Sequence, residues 1–180
     1  MSSPDSGAAE ILGRAYLADL AARFSTLRDV AERAIAQVDD GALHDALDAE
    51  SNSIAVLMAH VGGNLASRFT DFLTTDGEKP DRDRDGEFDL PGTESRARLE
   101  ARWSAGWRAL EWSLATLEPA DLLRTVTIRG EPLTVFQALS RALAHVAQHV
   151  GQIVLLAKHA AGPRWRTLSL PRAARGGEQA

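Results

Sequence analysis

The sequence contains no cysteine, which excludes disulfides and thiolate metal ligands, so any thiol in its chemistry must come from a substrate or cofactor. Lysine occurs only as Lys79 and Lys158, and a formal net charge of −5 offers no excess of positive charge for a nucleic-acid partner. No stretch approaches the roughly 20 apolar residues of a membrane helix, and the opening residues lack the basic-then-apolar order of a signal peptide. We therefore predict a cytoplasmic protein without a nucleic-acid or membrane partner.

Four segments repeat apolar residues at the spacings of three, four and seven that one face of a helix requires. These apolar positions run from Leu12 to Val38, from Ile54 to Phe72, from Leu99 to Leu117 and from Phe136 to Ala157. Four amphipathic helices must pack their apolar stripes together, so we predict an all-α four-helix bundle. A length of 180 residues suits one domain, predicted over residues 1–171 and followed by a disordered tail at 172–180.

Several boundaries of these helices carry chemical signals. Thr134 and Gln137 form a capping-box pattern at the start of the fourth helix, which should end at Gly162-Pro163. Thr93 is the predicted cap of the third helix, and Ser51, Asn52 and Ser53 are alternative caps of the second. The β-prone run from Thr125 to Ile128 predicts one short strand or hairpin arm before the last helix.

Two histidines on the fourth helix have a spacing that suits metal binding. His145 and His149 are four residues apart, so their side chains share one helix face and two imidazoles can reach one ion. His60 flanks the apolar stripe of the second helix and would join them if the two helices are neighbours. The same spacing also occurs in pairs of surface histidines, and it does not identify the third ligand.

The remaining polar candidates have simpler interpretations. His44 falls in a predicted loop, where we expect it to be solvated. His159 falls in the last turn of the fourth helix, where an imidazole interacts favourably with the helix C-terminus. Arg68 and Asp71 are interpreted as an exposed ion pair near the end of the second helix, which would contribute little.

Two longer stretches carry a family resemblance. HVAQHVGQI, from His145 to Ile153, and NSIAVLMAHVGGNLASRFTDFLTTDGEKPDRDRDGEF, from Asn52 to Phe88, resemble the DinB-like (DinB/YfiT) superfamily. The second stretch looks like the YizA-like branch of that superfamily. The resemblance covers nearly the whole chain, including RWRTLSLP near its end.

The resemblance implies a fold and a metal site. Its fold is a four-helix bundle with up-down-down-up order, and its members commonly bind zinc, nickel or a similar divalent ion through three histidines. Carried onto this chain, the ligands are His60, His145 and His149. Some members transfer low-molecular-weight thiols or isomerise thiol adducts, and others have no known activity. Dimers are common among them, so we expect a homodimer, and Trp112 lies off the core stripe where it could face a partner subunit.

Three neutral histidines would leave at least one coordination position open on a bound ion. Such an ion could activate water or a low-molecular-weight thiol on a small-molecule substrate, which predicts a hydrolase or a thiol transferase. The histidines serve both reactions equally well. The alternative is a non-catalytic stress-associated protein or dimeric scaffold, in which a fourth protein ligand such as Glu87 closes the site.

Further side chains are candidates to orient a ligand or meet a substrate. Asn64 lies one turn beyond His60, where an interhelical hydrogen bond is equally plausible, and Gln152 follows His149 by three residues on the same face. The charged run from Asp76 to Glu87 has the composition of a solvated loop. The resemblance offers another interpretation, in which this segment folds over the metal and presents Arg82 or Glu87 to a substrate.

Overall fold

The computed structural model describes residues 4–169, with side chains from residue 7 onward. The predicted tail at 172–180 lies outside the described residues. Four helices and one antiparallel hairpin form the described part: α1 Pro4–Ile35, α2 Ile54–Phe69, α3 Arg96–Thr116, β1 Thr125–Ile128, β2 Glu131–Thr134 and α4 Val135–Ala161. Short 3₁₀ turns occupy Asp85–Glu87, Pro119–Leu123 and Gly162–Arg164. The all-α fold and the short hairpin before the last helix are confirmed.

The helix ends follow local capping chemistry. The Thr134 hydroxyl accepts from the Gln137 amide at 3.1 Å while the Gln137 side chain accepts from the Thr134 amide at 2.9 Å, which confirms the predicted capping box. α4 ends at Ala161, and its C-cap residue Gly162 has a φ of 52°, in the left-handed region. Ser53 caps α2. The predicted Thr93 cap is wrong, because the Ser95 side chain accepts from the Arg98 amide and α3 starts at Arg96.

Contacts along the helices give the order up-down-down-up. α2 and α3 are parallel and approach backbone to backbone, since a Cβ on Gly62 would overlap Arg102 and one on Gly106 would overlap Gly62. Further along the same pair, the Ser113 hydroxyl donates to the Phe69 carbonyl at 2.7 Å.

α1 is parallel to α4 and antiparallel to α3. Its early turns meet the start of α4, where Tyr16 stacks on Phe136 with ring centroids 4.6 Å apart. Its later turns meet the early part of α3, where the Trp103 indole donates to Glu32 at 3.1 Å. α4 therefore runs antiparallel to α2 and brings the middle of each helix together.

The predicted apolar stripes mostly form the core. All six predicted positions on the second stripe are buried: Ile54, Leu57, Val61, Leu65, Phe69 and Phe72. The first stripe is wrong at its start, since Leu12 is 72% exposed and Leu17 is buried instead. Among residues 4–169, no helix has both the length and the apolar character that a bilayer span requires.

Candidate metal centre

Three histidines from two antiparallel helices converge in the middle of the bundle. His60 lies on α2 and is buried, whereas His145 and His149 lie on neighbouring turns of α4 and are half-buried. The His145 Nε2 atom is 3.1 Å from Nε2 of His60 and 3.2 Å from Nε2 of His149. One ligand atom from each of the three lies within 4.8 Å of the others. The structure thus brings together the three residues predicted as metal ligands.

Hydrogen bonds on the outer ring nitrogens fix two of these imidazoles. The His60 Nδ1–H donates to the Glu87 carboxylate at 3.0 Å, and the His149 Nδ1–H donates to the Gln152 side-chain oxygen at 2.7 Å. A neutral imidazole that donates through Nδ1 keeps a lone pair on Nε2. Two lone pairs therefore face the third histidine across about 3 Å, an arrangement that favours a cation between them.

His145 sits between the other two and has no such support. Its Nδ1 atom is buried without a hydrogen-bond partner among the described residues. Burial, together with the nearby His149 and His60, lowers the pKa of His145 to about 3. Burial also lowers the pKa of His149, against the opposing hydrogen bond with Gln152. Both imidazoles on α4 are therefore neutral at physiological pH, which is the form that ligates a metal. The donor set fits a divalent ion.

Glu87 is held against His60 by a second basic group. Arg82 donates through Nε and Nη2 to the two Glu87 oxygens at 2.8 and 2.7 Å, and both side chains are almost completely buried. Burial opposes ionisation of Glu87, but the hydrogen bonds from His60 and Arg82 outweigh it and hold the pKa of the carboxyl below its ordinary value. The carboxylate contacts Nδ1, the nitrogen that points away from the cluster of Nε2 atoms. It is therefore placed to orient His60 and not to close the metal position.

A glycine on α2 makes room for this carboxylate. Gly63 lies beside His60 along the helix, and a Cβ on it would overlap the Glu87 carboxylate. The sequence analysis did not identify Gly63. The signal was present, since a Gly-Gly pair inside a helix costs stability and indicates a close approach on that face.

The charged segment from residue 76 to residue 87 is tied to the fold at both ends, with Glu87 buried against the site, while Asp81, Asp83, Arg84 and Asp85 between the ends are exposed. The Asp76 carboxylate accepts hydrogen bonds from the Arg129 and Gly130 amides at 2.9 and 2.8 Å, which ties the segment to the hairpin turn. The Ser67 hydroxyl donates to the Gly77 carbonyl at 2.9 Å, which ties it to α2. Arg129 and Gly130 both have positive φ, at 58° and 74°, as a two-residue hairpin turn requires.

A cavity of about 170 Å³ adjoins the triad, and both His60 and His145 line it. Asn64, one turn along from His60, is buried and lines the same cavity. Within residues 4–169 its amide makes no interhelical hydrogen bond, so it faces the space where a ligand would bind. Arg82 also lines the cavity, but its guanidinium is already engaged by Glu87 and Glu78.

Two interpretations from the sequence are wrong here. Arg68 does not form an exposed pair with Asp71, because it is buried, lines the cavity and reaches Glu78 at 3.6 Å. His44 is not solvated, since its Nε2 lies 2.9 Å from the Glu94 carbonyl in a half-buried position. His159 is exposed in the last turn of α4, as predicted.

Comparison with known proteins gives one match. A family model described as "Protein of unknown function (DUF1572)" matches residues 11–174, which is most of the chain. A search of curated proteins and a search of solved structures each returned no significant match. DUF1572 is a DinB-like family, in agreement with the resemblance found in the sequence. The match does not test the assignment to the YizA-like branch. The chain belongs to DUF1572, a DinB-like family of unknown function.

Proposed function

We propose that this protein is a divalent-metal-dependent enzyme that activates water or a low-molecular-weight thiol on a small-molecule substrate. His60, His145 and His149 would hold the ion, with zinc and nickel as the expected metals because imidazole suits both. The observation that supports this most strongly is the convergence of three Nε2 atoms, two of them with lone pairs fixed by hydrogen bonds on Nδ1.

The surrounding residues supply orientation and access. Glu87 and Gln152 hold two of the imidazole rings, and hydrogen bonds of this kind raise ligand basicity. A bound divalent ion would supply Lewis acidity, lowering the pKa of water or of a thiol enough to form a nucleophile near neutral pH. The cavity beside His60 and His145 gives a small molecule access to that position.

The residues around the cavity limit the types of reaction that the site supports. Within the described part of the chain no carboxylate lines it, and Glu87, the carboxylate that contacts His60, is occupied by His60 and Arg82. A hydrolase of the type that uses a separate carboxylate as general base therefore receives no support. Thiol transfer and hydrolysis by directly activated water both remain compatible with the site.

The alternative is a non-catalytic metal-binding scaffold, either stress-associated or dimeric. The 73% exposure of Trp112 on α3 favours an interface with a second copy of the chain. A scaffold with a structural metal predicts a closed fourth position. The position of Glu87 on Nδ1 of His60 argues against the closing ligand that the sequence suggested.

Elemental analysis of purified protein tests the metal. We expect about one equivalent of divalent ion per chain. His149→Ala should lose it, and His159→Ala, which removes an exposed histidine from the last turn of the same helix, should retain it. Equal metal content in the two variants, or none in the wild type under non-chelating conditions, would remove the basis of the proposal.

A thermal-shift screen of the metal-loaded protein tests the co-substrate. Bound ligands stabilise the native state by mass action, so a thiol that binds should raise the melting temperature. Under the thiol interpretation, low-molecular-weight thiols raise the melting temperature of the wild type and do not raise that of His149→Ala. If no thiol has this effect while the metal is present, the hydrolytic interpretation is favoured.

A further inference from the structure

The cavity beside the triad has a strongly basic wall in an acidic protein. The described residues that line it include no acidic side chain. They include five arginines: Arg68, Arg82, Arg84, Arg129 and Arg141. The chain as a whole carries a formal charge of −5. Positive charge is therefore concentrated at one concave site, where low-dielectric walls strengthen the field acting on a ligand.

The neighbouring carboxylates neutralise this wall only in part. Glu78 is shared by three guanidiniums, with contacts of 3.6 Å to Arg68, 3.3 Å to Arg82 and 3.1 Å to Arg129. Glu87 is shared by Arg82 and His60, and the exposed Asp85 pairs with Arg84 at 3.4 Å, so three carboxylates face five guanidiniums. A metal ion at the triad would add further positive charge. The cavity is thus complementary to an anion.

Two of the arginines have unused hydrogen-bonding capacity and lie on facing helices. Arg68, on α2, is 9% exposed, and its Nη1 atom has no hydrogen-bond partner within residues 4–169. Burial and the neighbouring Arg141, Arg82 and Arg129 lower the pKa of Arg68 to about 10, against the attraction of Glu78. Arg141, one turn before His145 on α4, makes no ion pair with any described residue. Burying a guanidinium whose N–H groups are not all paired costs folding free energy. The position of Arg68 therefore suggests a ligand that pairs with it.

We propose that the cavity is an oxyanion subsite, in which Arg68 and Arg141 bind the carboxylate or phosphate group of a small substrate while its reacting part lies toward the histidines. This inference rests on the proposed function for the role of the triad, but the anion binding itself does not require a metal. A volume of about 170 Å³ is close to that of a cavity that holds benzene, so the bound portion is small. Guanidinium groups suit both oxyanions, since their planar fork matches carboxylate and phosphate geometry.

Titration calorimetry with two probes tests the subsite. Succinate and inorganic phosphate are titrated separately into metal-loaded wild-type protein at low ionic strength, and the stronger probe identifies the class of oxyanion. We expect saturable binding, and an increase of at least tenfold in Kd for Arg141→Gln and for Arg68→Gln. Arg33→Gln removes the same unit of charge from an exposed i,i+4 pair on α1 and should change Kd by less than twofold.

Two further measurements keep the outcomes distinct. Arg141 is exposed, so Arg141→Gln should retain the fold by circular dichroism, and it decides the test if Arg68→Gln does not fold. Elemental analysis of the same samples reports the metal. Metal retained with no saturable anion binding overturns the subsite alone, whereas anion binding by protein that retains no metal after loading overturns the proposed function alone. Equal Kd values in wild type and Arg141→Gln would assign the anion to the metal or to general charge, and would also overturn the subsite.

Discussion

Ion pairs in two regions of this molecule use the same residue types with different consequences. On α1, Glu10 and Arg14 form an i,i+4 pair at 2.7 Å with both side chains more than half exposed. Beside the triad, Arg82 and Glu87 also meet at 2.7 Å, with side chains only 4% and 6% exposed. The exposed pair is screened by water, whereas the buried pair fixes the orientation of His60. Equal distances therefore indicate neither equal energies nor equal functions.

The largest difference in stability between the two regions should come from removing one carboxylate from each. Glu87→Ala leaves the buried Arg82 with only Glu78, a carboxylate that it shares with Arg68 and Arg129, so we expect a loss of about 3 kcal/mol in the free energy of unfolding. Glu10→Ala should cost less than about 0.5 kcal/mol, because exposed pairs contribute little. Urea denaturation of both variants measures the contrast.

Glu87→Gln is the matched control for the buried site, since the amide oxygen can still accept one hydrogen bond. Its loss should lie between those of the other two variants. Equal losses for Glu87→Ala and Glu10→Ala would mean that the buried network does not stabilise the fold more than the surface pair does.

The second prediction compares two glycines that lie beside histidines on different helices. Gly63→Ala places a methyl group where the Glu87 carboxylate lies, so Glu87 must move from His60. Loss of a hydrogen-bond partner of this kind typically weakens metal binding by about 10- to 100-fold. In contrast, a Cβ on Gly151, between His149 and Gln152, meets no atom within 4 Å.

Gly151→Ala should therefore leave metal affinity unchanged and stabilise α4 by about 0.5–1 kcal/mol through helix propensity. Competition titration with a metal chelator measures affinity, and thermal unfolding of the metal-free proteins measures stability. If Gly63→Ala binds metal as tightly as Gly151→Ala, Glu87 does not orient a ligand.

The contrast between the regions also explains what the sequence could predict. The helices and the His145–His149 pair follow from periodicity, capping and spacing, all of which are local. The place of His60 beside an apolar stripe made it a candidate, and the resemblance assigned it as the third ligand. The partners of the site are distant along the chain: Glu87 is 27 residues from His60, and Asp76 is 54 residues from Gly130. Their contacts depend on how the segment of residues 76–87 packs. From its composition alone, that segment is predicted to be a solvated loop.

Arg68 and Arg141 are a second example of site residues that the sequence could not bring together. Each has the sequence context of an ordinary helix-surface arginine, and only the antiparallel packing of α2 against α4 places both on one cavity. Arg68 also contacts Glu78, a residue of the segment 76–87, at 3.6 Å. The sequence therefore predicted the metal site but not the arginines that line the cavity beside it.

The smallest expected effect is on the pH dependence of stability. It is tested by comparing two aspartates that have different partners. Asp76 accepts from the backbone amides of Glu78, Gly130 and Arg129, and these hydrogen bonds lower the pKa of its carboxyl to about 2. The ordinary value near 3.9 applies to the unfolded chain. Because the folded pKa is the lower one, this stabilisation is fully present above about pH 4 and is lost as the pH falls through about 2. Asp29 instead forms an exposed i,i+4 pair with Arg33.

Asp76→Asn should therefore reduce the free energy of unfolding by about 1 kcal/mol at neutral pH, after allowance for solvent screening. Its amide nitrogen cannot accept the hydrogen bond from Gly130. The decrease in stability between pH 4 and pH 2 should also be shallower than in the wild type, because the variant lacks the titrating group. Asp29→Asn should shift stability by less than about 0.5 kcal/mol. Denaturation at a series of pH values measures both, and parallel acid profiles for Asp76→Asn and the wild type would show that the segment is not held to the hairpin by this carboxylate.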